Sequence, residues 1–96
     1  MKPLFIPLKT EHFNAFENGS KTWEYRLYGS RWNENTCQVG REVLLSCGYG
    51  KQRRLRGKII AFVRSAEPTN TEAWRDCYGD RTGDAACIGI DIGACR

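Results

Sequence analysis

Ninety-six residues suit one domain, and an apolar share of 41% supports a modest globular core and argues against disorder. No apolar run approaches the roughly 18 residues of a membrane-spanning helix. The net charge is +4, but its distribution says more: Lys51, Arg53, Arg54, Arg56 and Lys58 crowd into one short stretch, while the acids gather between Glu67 and Asp91.

In chain order, Leu4 to Leu8 is apolar and reads as a strand, with Pro3 and Pro7 tolerated at an edge or strand end. A short helix is expected over Glu11 to Asn18, N-capped by Thr10, with Phe13 and Phe16 on one face and Gly19 just past its end. Thr22 to Tyr28 is aromatic and β-branched and predicts a strand. Its alternation puts Trp23, Tyr25 and Leu27 on one face and Thr22, Glu24, Arg26 and Tyr28 on the other. Gly29 to Gln38 is polar and predicts a loop; Val39-Gly40-Arg41 leads into a strand over Glu42 to Cys47. Gly48-Tyr49-Gly50 turns the chain into a long strand through Arg64, with Ile59, Ala61 and Val63 on one face and Ile60 and Phe62 on the other. Thr69 and Glu72 have capping-box spacing at the start of a second helix ending near Gly79. After a loop over Arg81 to Asp84, Cys87 to Ile92 is a final strand with Ile88, Ile90 and Ile92 on one side. The order β-α-β-β-β-α-β predicts an α+β fold with a mostly β core.

The N-terminal Met1-Lys2-Pro3-Leu4-Phe5-Ile6-Pro7 meets charge too soon for a signal peptide, so a cytoplasmic protein without a membrane partner is expected. Cys37, Cys47, Cys77, Cys87 and Cys95 include no C-x-x-C pair, and His12 is the sole histidine. The expectation is reduced, partly buried thiols and no metal or cofactor.

The segment Gly19-Ser20-Lys21-Thr22-Trp23-Glu24-Tyr25-Arg26 puts a lysine at the mouth of a strand and places Glu24 and Arg26 two apart on one face. Such neighbours stand about 7 Å apart. Lysine and arginine supply donors and charge, glutamate an acceptor or proton carrier, so Lys21, Glu24 and Arg26 are candidate catalytic or ligand-gripping residues. A strand-face ion pair with a solvated lysine is the plainer alternative. Thr22, Tyr28 and Tyr49 are candidate ligand-binding residues. Arg31, Lys51, Arg53, Arg54 and Arg56 are candidates for contacting nucleic acid, with Tyr28, Trp32 and Tyr49 as stacking surfaces or ordinary packing residues. Trp23, Tyr25 and Trp74 read as core.

The pattern G-x-K-x-x-E-x-R resembles the signature of ASCH domains, and Val39-Gly40-Arg41-Glu42-Val43-Leu44 resembles that family's entry into its next strand, with Arg41 where an aspartate is usual. The resemblance implies a PUA-like small β-barrel with two short helices and a cleft holding RNA or a modified nucleoside. Some ASCH proteins of similar length are N4-acetylcytidine amidohydrolases, with a lysine base, a threonine nucleophile three residues later and a glutamate acid near the second helix. Lys21 matches the lysine, Glu24 stands at the threonine position, and Glu67 or Glu72 is the candidate acid. A carboxylate does not replace a hydroxyl without a change of mechanism: Glu24 would have to direct a water, with Lys21 or Arg26 on the oxyanion and Thr22 a weaker substitute nucleophile. Other ASCH proteins resemble ribonucleases. Three functions are therefore carried forward: an RNA- or nucleotide-binding module, a hydrolase acting on RNA or a modified nucleoside, and a protein-interaction module with a basic face.

Overall fold

The computed structural model describes residues 1–66, 74 and 83–93. The chain is a small α+β protein: a five-stranded mixed sheet curls into a half-barrel, with one short helix among the described residues. The strands are β1 (Leu4–Leu8), β2 (Trp23–Leu27), β3 (Glu42–Cys47), β4 (Arg54–Ser65) and β5 (Ala85–Asp91), and the helix is α1 (Thr10–Glu17). Apart from Trp74, the expected helix over Thr69 to Tyr78 lies outside the described residues, as do Glu67, Glu72, Cys77 and Cys95.

The sheet order is β1-β3-β4-β5-β2. Among the described strands, β1 pairs parallel with β3 and the other neighbours are antiparallel. The first two strands of the chain are thus its two edges, and α1 connects them. The chain then returns over residues 28–41 to the β1 side. That polar stretch does more than connect: Trp32 and Cys37 are buried in the main core beside Ile6, Phe13, Val43, Leu45, Ile59 and Ile88. Trp32, considered above as a stacking surface, is only 8% exposed and belongs to the interior.

Register explains the two layers. Glu24 and Arg26 stand opposite Ile88 and Ala86, so they share the concave face with the core. Trp23, Tyr25 and Leu27 take the other face and are half-buried around Trp74, Ala85 and Cys87. The facing expected for the long strand holds only as far as Ile59. A bulge between Ile59 and Ala61 shifts the register, so Phe62 stands opposite Ile88 and packs on the same core as Ile59, while Ala61 stands opposite Gly89 on the outer layer. One inserted residue is enough to exchange faces along the rest of a strand.

Two glycines permit the curl. A Cβ on Gly57 would lie 3.1 Å from the Asp91 carbonyl oxygen and 3.1 Å from Ile90 Cγ2, so the end of β5 folds over β4 there. A Cβ on Gly89 would lie 3.2 Å from Ala61 Cβ and 3.3 Å from the Trp23 indole, whose ring rests on that bare backbone. Gly89 therefore makes room for the protein's own tryptophan.

The helix starts one residue earlier than expected, and Thr10 is not its cap. Lys9 holds the N-cap position without a side-chain cap bond, and Thr10 Oγ1 lies 3.6 Å from Cys47 Sγ instead. At the other end Gly19 adopts φ +84°, a left-handed stop that glycine takes without strain. Its amide bonds the Phe16 carbonyl, and the Lys21 amide bonds that of Ala15. These bonds fix where Lys21 leaves the helix.

Candidate functional site

Lys21, Glu24 and Arg26 form one connected cluster at the seam between the sheet edges. Lys21 Nζ lies 3.1 Å from Glu24 Oε1, and Arg26 Nε donates to Glu24 Oε2 at 2.9 Å. The Glu24 side chain is 8% exposed, and those of its two partners are 17% exposed. A carboxylate this buried is tolerable because charged donors satisfy both of its oxygens. Aromatic rings support the cations: Lys21 Nζ lies 5.6 Å from the centre of Phe16 and the Arg26 guanidinium 4.9 Å from that of Trp32. Arg26 Nη2 also donates to the Pro7 carbonyl at 2.5 Å.

A cavity of about 400 Å³ opens beside the cluster, lined by Pro7, Leu8 and Lys9 from the first edge, His12 from α1, Glu24 and Arg26 from the second edge, and Gly48 and Tyr49 from the β3–β4 turn. The ion triad sets two cations, Lys21 and Arg26, against the one carboxylate of Glu24, an excess of positive charge suited to an anionic ligand.

His12 is the site residue that sequence reasoning missed. Lys21 Nζ lies 3.0 Å from His12 Nδ1, and Nε2 is buried without a partner among the described residues. An ammonium has donors only, so with Lys21 charged beside Glu24 the imidazole accepts at Nδ1 and carries its proton on Nε2. The available signal was helical spacing: His12 is four residues before Phe16, on the same side of the helix.

The other candidates scatter. Thr22 is exposed and does not line the cavity. Tyr28 is half-buried outside the cavity, its hydroxyl donating to Glu34 Oε2 and its ring 3.9 Å from the Arg64 guanidinium. That bond raises the Tyr28 pKa above its ordinary value and lowers that of Glu34. Arg31 packs over Trp32. Lys51 is exposed in the β3–β4 connection. Arg53 donates to Asn14 Oδ1 at 2.7 Å and Glu17 Oε1 at 3.1 Å, which ties the connection to α1. Arg54 and Arg56 stand opposite Ser46 and Leu44 on the convex face, where Arg54 lies over Phe5 and Arg56 is 3.6 Å from Glu42. The basic run therefore wraps the rim and outer face, and the cavity's charge comes from other residues.

Arg41, at the position where an aspartate was expected, has a structural role: Nε donates to the Lys2 carbonyl at 3.0 Å and Nη1 to the Thr36 carbonyl. It fastens the start of β1 to the 28–41 connection. None of the described helices is long and apolar enough to cross a membrane. No family model matches the chain, and a search of curated proteins finds no relative.

Proposed function

We propose that this chain is an RNA- or nucleotide-binding module of the PUA-like ASCH type, with the ligand in the cavity between α1 and the two sheet edges. The carrying observation is that Glu24 and Arg26 of the G-x-K-x-x-E-x-R pattern line one cavity, with Lys21 of the same pattern paired to Glu24. An excess of cations favours phosphate, while the buried carboxylate offers an acceptor to a base edge. Arg53, Arg54 and Lys51 sit near the turn that forms the cavity's wall and extend the positive surface toward a longer strand.

The test is fluorescence anisotropy with a labelled single-stranded RNA across a salt series, for wild type and Lys21→Ala. Binding should weaken steeply with salt, as phosphate neutralisation releases counterions, and should weaken in the variant. Affinity indifferent to both salt and Lys21 would count against a phosphate-binding cleft here.

The chain of contacts from His12 through Lys21 to Glu24 favours one second reading, a hydrolase. Linked acid, base and cation groups are what directing a water requires. Mass spectrometry of an RNA carrying one N4-acetylcytidine, before and after incubation, separates the chemistries: loss of the acetyl group or strand cleavage by wild type and not by Lys21→Ala would establish turnover.

A further inference from the structure

A nucleotide site can serve a free mononucleotide or one unit of a strand, and the rim of the cavity distinguishes the two. Tyr49 lines the cavity, yet it is 80% exposed at the tip of the β3–β4 turn. The main core does not need this ring. The turn that carries it is nonetheless anchored. Gly48 turns at φ +69° and its amide bonds the Leu8 carbonyl at 2.9 Å. Ser46 Oγ and Arg54 Nε both donate to the Gly50 carbonyl, at 3.1 and 3.3 Å. An aromatic side chain presented on an anchored turn is a prepared surface, with less ordering cost on binding than a mobile loop would carry.

The surface continues away from the cavity. The Tyr49 ring is tilted 41° to Phe5 with centres 6.1 Å apart, and the Arg54 guanidinium lies 5.4 Å from the centre of Phe5 on its convex face. Ring, ring and guanidinium thus run from the cavity mouth over the rim, and Lys51, two residues after Tyr49 in the chain, is exposed. Aromatic rings leading to a cationic group along a track suit a stacked base and its phosphate in a single strand. The cavity itself, about 400 Å³, is at the small end of ligand pockets and has room for one nucleotide unit.

We propose that the ligand is a single-stranded oligonucleotide of at least two units, with one nucleotide in the cavity and the adjoining base stacked on Tyr49, its phosphate directed toward Arg54. This rests on the nucleotide-binding reading above. The experiment compares affinities for the four ribonucleoside 5′-monophosphates with those for the four matching homotetranucleotides, by calorimetry, in wild type, Tyr49→Ala and Tyr49→Phe. The best tetranucleotide should bind wild type more tightly than its monophosphate. Tyr49→Ala should cut that ratio about 5- to 150-fold, the equivalent of about 1–3 kcal/mol for one stacked base, and Tyr49→Phe should preserve it. A ratio near one in wild type, or one unaffected by Tyr49→Ala, overturns the strand inference while leaving a mononucleotide site standing. Absence of binding by every probe overturns both.

Discussion

Arg26 joins the two edges of the half-barrel: from β2 its guanidinium donates to the carbonyl of Pro7 on β1, at the opposite end of the sheet order. The same side chain holds Glu24 in the cluster. A single residue thus serves both the closure of the fold and the geometry of the candidate site. The arginine fork makes this possible, because it bonds a carboxylate and a carbonyl in different directions at once.

Arg26→Lys keeps the charge and loses the fork. It should destabilise the protein by about 2 kcal/mol in urea unfolding, the scale of a lost hydrogen bond to a charged group. Hydrogen exchange of backbone amides along β1 and β2 should speed up more than that along β3 and β4. Arg31→Lys, at an exposed position stacked on the same tryptophan, is the control and should stay within about 0.5 kcal/mol of wild type. Equal effects from the two variants would mean that the bond to Pro7 does not hold the seam.

The cluster was legible in the sequence because two residues apart on a strand means one face, and β2 obeys that rule. The same rule failed on β4, where the bulge before Ala61 leaves no mark in the order of apolar residues. It was also silent on which face would be concave. That depends on β2 pairing with β5, across a separation far longer than any local pattern. Trp32 looked like a loop residue because its neighbours are polar. It is buried because a curled open sheet leaves core to cover, and the returning chain is what covers it. His12 escaped notice because its one signal, the four-residue spacing to Phe16, marks a helix side and says nothing of the lysine that meets it.

His12 gives a prediction that needs no ligand. Lys21 Nζ, 3.0 Å from Nδ1, dictates the tautomer: at neutral pH the imidazole should carry its proton on Nε2. Long-range proton–nitrogen correlation spectra distinguish the two ring nitrogens directly. Lys21→Met should remove the preference imposed at Nδ1. A proton found on Nδ1 in wild type would mean that Lys21 does not donate to that nitrogen, and the link from His12 to the cluster would have to be abandoned.

The bond from Tyr28 to Glu34 makes a pH-dependent contribution with a defined window. Glu34 titrates below the ordinary value of a glutamate in the folded state, mainly because it accepts from Tyr28. Its contribution is therefore complete above that value and is lost as pH falls through the lowered folded pKa. Tyr28 titrates above the ordinary value of a tyrosine, mainly because of the bond to Glu34, so its part is complete below that value and is lost as pH rises through the raised folded pKa. The stability difference between wild type and Tyr28→Phe should accordingly form a plateau in favour of wild type through neutral pH and shrink at both extremes. Phenylalanine retains a ring for Arg64 to pack on, so the comparison isolates the hydroxyl. Denaturant midpoints measured from acid to alkaline pH provide the check, and a difference constant across the range would rule out the bond as its source.

The curl of the sheet predicts unequal costs for two small substitutions. Gly89→Ala would press a methyl group against Ala61 Cβ and the tip of the Trp23 indole. The indole is half-buried on an edge strand and has room to yield, so part of the strain can relax. Gly57→Ala would instead meet the Asp91 carbonyl oxygen at 3.1 Å and Ile92 Cα at 3.3 Å, both main-chain atoms, together with the buried Ile90 side chain. Neither main-chain atom moves without disturbing the pairing of β4 with β5. Overpacking of this kind costs about 1–3 kcal/mol. Gly57→Ala should fall at the upper end and Gly89→Ala at the lower, as read from thermal or urea unfolding. The reverse order would mean that Trp23 is held more rigidly than the end of β5, and that the curl depends less on Gly57 than on the packing of the outer layer.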